Sequence, residues 1–143
     1  MKKGLFMQGY NLLVIFSEDM QTVLMCKRKR APYQGLSNFP GGKIEKGEDG
    51  LHAAYRELQE ETAITEADVH LTHFMDFTYH AFDLYLEVYV GRLRRTVHAR
   101  GTENDLYWSA LDHDFFDESQ YAGEGNIGHI LREIELYQDK IPL

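Results

Sequence analysis

Apolar residues fall into blocks whose spacing changes along the chain. YNLLVIF (10–16) and TVLMC (22–26) are short apolar runs separated by SEDMQ, which predicts two strands joined as a hairpin. The stretch 27–49, KRKRAPYQGLSNFPGGKIEKGED, is rich in Gly, Pro, Asn and Ser and predicts a long loop, a length usually kept for function in a compact domain. From there Leu51, Ala54, Tyr55, Leu58 and Thr62 recur at i, i+3, i+4, i+7 and i+11, which predicts a helix capped by Asp49 with that stripe turned to the core. VHLTHFMDFTYH (69–80) and FDLYLEVYVGRL (82–93) predict an antiparallel pair. In the second, Phe82, Leu84, Leu86, Val88 and Val90 alternate with Asp83, Tyr85, Glu87 and Tyr89, as in a half-buried strand. A loop, HARGTEND (98–105), leads to a short strand, LYWSAL (106–111), and Ile127, Ile130, Leu131, Ile134 and Tyr137 predict a closing helix. Strands, helix, strands, helix is the order of an α/β sandwich with a mixed sheet.

With 143 residues the chain is expected to form a single domain, 1–143, able to bury about two-thirds of its unfolded surface. The net charge of −8 argues against a broad surface for long nucleic acid. A small phosphorylated ligand is still compatible with a local basic cluster, and one exists at Lys27, Arg28, Lys29 and Arg30. No apolar run approaches the roughly 20 residues of a membrane span, so no membrane partner is expected. The first residues lack a small-residue cleavage site, and the lone Cys26 reads as a buried strand thiol, so a reducing cytoplasm is the expected location.

The predicted first helix carries Glu57, Glu60 and Glu61 at i, i+3 and i+4, hence on one face, away from the apolar stripe. Like charges at these spacings destabilise a helix by roughly 0.2–0.5 kcal/mol per pair. Arg56 is the one cation beside them in sequence, and a divalent metal is the natural further counter-charge.

From Gly42 the chain runs five residues to Glu48, seven more to Arg56-Glu57-Leu58, then one residue to Glu60-Glu61 and on through Thr62-Ala63-Ile64. This resembles the Nudix box, with Ala63 standing where the family has glycine. Six matching charged or glycine positions would coincide by chance on the order of once in ten million starts, at usages near 7%. The preceding FPGG (39–42) and the order of elements also look like this family. The resemblance implies the Nudix fold, an α/β/α sandwich with a central mixed β-sheet. It further implies hydrolysis of a nucleoside diphosphate linked to some group X, with Mg²⁺ or Mn²⁺ as cofactor. By residue it makes Glu57, Glu60 and Glu61 metal ligands, with the Gly41 carbonyl as another, and Gly42, Glu48 and Arg56 supports. The base that takes the attacking water's proton is left open among Glu57, Glu61 and Glu103, the last lying a few positions before Trp108.

The basic cluster ends the second strand, where MutT-type members place an arginine on substrate phosphate, and Arg28, with Lys27 behind it, is the best match. For the base, Asn38 sits where some oxidised-purine hydrolases of the family carry an asparagine, and an amide can both donate to and accept from a base edge. Tyr121 is expected to stack on a base with Glu124 or Asn126 hydrogen-bonding to it, although Asn126 also suits the N-cap of the last helix. No proline lies between Pro40 and Pro142, against ADP-ribose-type members. Tyr79 matches a tyrosine of dinucleoside-polyphosphate members, but packing is the stronger reading in an aromatic strand. His80 and His129 read as surface or lining residues, because the seven histidines show no metal-ligand spacing. The leading expectation is a nucleoside triphosphate pyrophosphatase of MutT type, acting as monomer or homodimer on a small nucleotide. The alternatives are dinucleoside polyphosphates, nucleotide sugars, or a non-catalytic nucleotide sensor.

Overall fold

The computed structural model describes residues 6–99 and 105–143. Seven strands, β1 (Gln8–Phe16), β2 (Thr22–Lys27), β3 (Ser37–Asn38), β4 (Lys43–Ile44), β5 (Thr72–Tyr79), β6 (Leu84–Arg92) and β7 (Asp105–Ala110), form one mixed sheet with two helices, α1 (Gly50–Thr62) and α2 (Asn126–Leu136).

β1 runs parallel to β6 along its whole length, from Gln8 opposite Leu84 to Phe16 opposite Arg92. β5 pairs antiparallel with β6 through a 3₁₀ turn, His80–Phe82. The expected hairpin of β1 and β2 closes on a single pair, Phe16 opposite Val23, and the strands then part. β2 instead pairs over six residues with β7, from Thr22 opposite Ala110 to Lys27 opposite Asp105. Into the fork comes the glycine loop: Leu13 N–H donates to Pro40 O at 2.8 Å, Asn11 N–H to Gly42 O at 2.9 Å, and β4 pairs with Gly9 and Tyr10.

Side chains alternate across the sheet and both faces are covered, so the strands read as continuous apolar runs. Leu13, Ile15, Leu24 and Tyr89 pack with Ala54, Leu58 and Ile64 beneath α1. Val14, Phe16, Val23, Met25, Val88 and Val90 pack with Ile127, Ile130 and Ile134 beneath α2. This is the α/β/α sandwich expected. The half-buried reading of the strand at 82–93 is corrected: Val88, Tyr89 and Val90 are all buried, while Phe82 leaves the strand and is exposed in the turn.

α1 starts as the sequence predicts, the Asp49 carboxylate accepting the His52 N–H at 3.2 Å. Its core stripe is Ala53, Ala54, Leu58 and Thr62, and Leu51, expected inside, is exposed on the first turn. The helix ends at Ala63, φ 67° and ψ 7°, whose N–H donates to Gln59 O. Thr62 Oγ1 donates to Leu58 O at 2.6 Å and accepts the Ile64 N–H at 3.1 Å, so one buried hydroxyl ties the last turn to the residue that leaves it. α2 is capped by Gly125, not by Asn126, which is its first residue. Among the described residues no helix is long and apolar enough to cross a membrane.

Candidate functional site

Three of the box carboxylates, Glu48, Glu57 and Glu60, meet one guanidinium. Arg56 Nε donates to Glu48 Oε2 at 2.7 Å and Nη2 to Glu48 Oε1 at 2.8 Å, a bidentate pair. Nη1 bridges Glu57 at 3.0 Å and Glu60 at 2.9 Å, and Nη2 also reaches the Lys43 carbonyl at 3.0 Å. Helix and loop are thus tied by a single side chain. The Arg56 guanidinium holds the Glu48 carboxyl down to about 2, with help from the Glu45 N–H that Glu48 accepts. Arg56 itself is raised above its ordinary value, chiefly by Glu48.

Glu57 differs from its neighbours. Its side chain is 12% exposed, and burial raises its pKa although Arg56 opposes the shift and Glu60 adds to it. Glu60 is exposed and Glu61 half-buried.

The loop opposite is shaped around Glu57. A Cβ on Gly42 would lie 2.3 Å from Glu57 Oε2, so the glycine is the space in which that carboxylate sits. Gly41 has φ +154°, and a Cβ there would be 2.0 Å from the Asn11 carbonyl oxygen. The Gly42 N–H donates to Asn11 Oδ1 at 3.0 Å. Asn11 is 1% exposed and its Nδ2 has no partner among the described residues, and a donor so left costs about 1–3 kcal/mol. Glu57 and Glu60, drawn together on Arg56 Nη1, offer carboxylate oxygens, the donor type that a hard cation such as Mg²⁺ or Mn²⁺ takes.

Among the described residues, the one set of three metal-type donors already within ligand reach of one another lies elsewhere, and Glu57, Glu60 and Glu61 do not form such a set. His73, Asp76 and Glu87 each offer a ligand atom, all within 4.8 Å of one another, near the N-terminal end of α1, where a Cβ on Gly50 would be 2.2 Å from Glu87 Oε1. Spacing along the chain could not reveal it, because the cross-strand pairing of Asp76 with Glu87 brings it together.

Arg28 closes the loop that follows β2: its Nε donates to Pro32 O at 2.7 Å, and its backbone bonds Leu36 and Gly35. Burial pushes the Cys26 thiol up to about 11, with the Glu61 charge adding to the shift and Arg28 opposing it. Arg28 and Glu61 are therefore both near the end of β2. Lys27 is exposed there, and Lys29 pairs with Asp105 at 3.1 Å.

The proposed base residues do not share one environment. Asn38 Oδ1 accepts the N–H of Phe39 at 2.8 Å, the local turn role an asparagine often fills. Tyr121 corrects the expectation of base stacking: it is 6% exposed, tilts against Phe115 at 5.1 Å and belongs to the core beneath α2. Its backbone pairs with Ser37, which sets residues 120–122 beside β3. Glu124 accepts the Tyr33 hydroxyl on both oxygens at 2.9 Å, and Asn126 Nδ2 donates to the Tyr79 hydroxyl at 2.8 Å. Tyr79 is thus held by a polar bond, beyond the packing expected of it. His129 lies edge-on to Phe77 at 6.0 Å. Glu103 lies outside the described residues.

A three-layer sandwich whose first helix presents this box against a glycine loop is the arrangement of one class, and the NUDIX domain model matches residues 7–120. The chain belongs to the Nudix family. It is 36% identical over 63 residues to a putative 8-oxo-dGTP diphosphatase of Bacillus subtilis, a match spanning 44% of this chain and 39% of that relative's length. An Ap4A hydrolase of C. elegans superposes with a TM-score of 0.73 at 20% identity, covering 93% of this chain and 98% of the other. A MutT Nudix hydrolase from Burkholderia pseudomallei superposes at 0.57 with 28% identity, covering 73% and 84%.

Proposed function

We propose that the protein is a divalent-metal-dependent hydrolase of phosphoric anhydrides, of MutT type. On this reading it cleaves a nucleoside triphosphate, an oxidised purine nucleotide being the first candidate, into the monophosphate and pyrophosphate. The observation that carries the reading is the complete box: Glu57 seated against Gly42, with Glu48 and Arg56 tying helix to loop. A non-catalytic sensor would not need all of its carboxylates intact.

Glu57, Glu60, Glu61 and the Gly41 carbonyl would hold Mg²⁺ or Mn²⁺. The Gly41 carbonyl takes no hydrogen bond among the described residues, as a ligand oxygen should. When bound, the cation supplies positive charge where negative charge develops on the diphosphate oxygens. Arg28, with Lys27, contacts the phosphates at the end of β2, and Glu57, Glu61 or Glu103 accepts the proton of the attacking water. Asn38, Glu124 and Asn126 supply polar groups toward the base; the 8-oxo-dGTP name of the Bacillus subtilis relative supports a purine there.

The test is product analysis on a panel of nucleoside triphosphates, oxidised and unmodified, with Ap4A and ADP-sugars beside them. Expected are a nucleoside monophosphate and pyrophosphate only when Mg²⁺ or Mn²⁺ is present, and turnover about 10–100-fold lower in Glu60→Gln and Glu61→Gln with little change in Tm. Cleavage of Ap4A or ADP-sugars with every triphosphate untouched would overturn the substrate assignment. Nucleotide binding with no product from any compound would overturn the activity.

A further inference from the structure

We propose that Asn11 is a positioning residue of the metal site: its side chain fixes the Gly41–Gly42 turn, so that the Gly41 carbonyl and the Glu57 carboxylate are presented together to a divalent cation. The proposal rests on the reading of the box as a metal site.

Side chains 11, 13 and 15 of β1 share the face toward α1, and Leu13 and Ile15 fill the core there. An apolar residue at 11 would continue that stripe. The chain instead places an asparagine there, 1% exposed, and its side chain makes one hydrogen bond among the described residues, from the Gly42 N–H to Oδ1. The Asn11 N–H in turn donates to Gly42 O. Both backbone polar groups of Gly42 are therefore held by one residue of the central strand.

The turn has no slack on either side. A Cβ on Gly41 would run into the Asn11 carbonyl, and one on Gly42 would run into the Glu57 carboxylate. A turn so confined transmits the position of Asn11 to the carboxylate beside it. The orphan Nδ2 points the same way: a buried amide with an unused donor is tolerated because its oxygen is needed, and the Gly42 N–H fixes which end of the amide faces the turn. Partners behind a ligand shell commonly set metal affinity in this manner.

Asn11→Leu removes both polar groups while keeping the number and branching of heavy atoms, whereas Asn11→Asp keeps the acceptor. The measurements are Mn²⁺ affinity by calorimetry, kcat and KM, Tm, and hydrogen exchange at the Gly42 amide. In Asn11→Leu, Mn²⁺ affinity and kcat should fall about 10–100-fold, KM should change less, and the Gly42 amide should exchange faster. Asn11→Asp should keep the amide protected and rescue Mn²⁺ affinity. If the leucine variant does not fold, Asn11→Ala carries the same comparison. Wild-type Mn²⁺ affinity and kcat in Asn11→Leu, even with a lowered Tm, would overturn the proposal, provided that Glu60→Gln weakens Mn²⁺ binding. Unchanged Mn²⁺ affinity in Glu60→Gln and Glu61→Gln would instead overturn the metal reading beneath it.

Discussion

Ala63 holds a left-handed conformation, φ 67°, in which an L side chain costs roughly 1–2 kcal/mol. Glycine removes that strain but gives back some conformational freedom to the unfolded chain. Ala63→Gly is therefore expected to stabilise the fold by about 0.5–1 kcal/mol, read as a higher urea midpoint at unchanged slope; a lower midpoint would refute the strain. Glu48 offers a pH test. Its carboxyl is depressed from an ordinary 4.5 to about 2, so the stability it contributes is present above pH 4.5 and is lost as pH falls from there toward 2. The Tm difference between the wild type and Glu48→Gln should be constant near neutrality and shrink across that interval; a difference unchanged at pH 2 would remove Arg56 as its cause. The box residues were legible because helical spacing is a one-dimensional signal. Tyr121 was not, since an aromatic near a loop suits a base or a core equally well until its neighbours are known. Asn11 was not either: its partner lies 31 residues away and nothing in local spacing joins them.

The glycine loop and α1 act as one element. Alanine at Gly41 meets backbone, the Asn11 carbonyl, whereas alanine at Gly42 meets the end of a side chain, Glu57. The two variants should separate folding from function. Gly41→Ala should lower the Tm strongly or prevent folding, while Gly42→Ala should fold and lose Mg²⁺-dependent turnover, as circular dichroism melts and activity assays would show. A folded Gly41→Ala with a wild-type Tm would contradict the close approach to β1. The long elements were legible from their periodicity, including the Asp49 cap. β3 and β4 were not, because two-residue strands have no period and exist only through their partners, β2 and β1. The strand at 82–93 was read as half-buried because Tyr and Glu look polar, yet the ring of Tyr89 is apolar enough to fill the layer beneath α1.

At the scale of the molecule, the order of elements made the sandwich legible, but the strand neighbours were not. The parallel pairing of β1 with β6 spans most of the chain, and only the finished packing selects it. The whole chain carries a net charge of −8, and a cation held at the box, as proposed, would offset part of that self-repulsion. Ligand linkage then predicts a Mg²⁺-dependent rise in Tm, equivalent to about 2.7 kcal/mol at a hundred times Kd. Chelation should reverse the rise and Glu57→Gln should abolish it. An equal rise in that variant would place the ion elsewhere, with His73, Asp76 and Glu87 the first place to look.

The fork between β1 and β2 also bears on how such a protein can diversify. β2 is joined to β1 by one residue pair and to β7 by six, so β2 and β7 form a prong of their own. The prong bears Arg28 and the loop that follows it, while the box is anchored to the trunk through β1 and α1. Leu24 of β2 still packs in the layer beneath α1, so it is the loop after β2, rather than the strand, that can take insertions and replacements without disturbing that layer. The cation cradle proposed for the box can thereby be kept while the loop beside it changes its clientele.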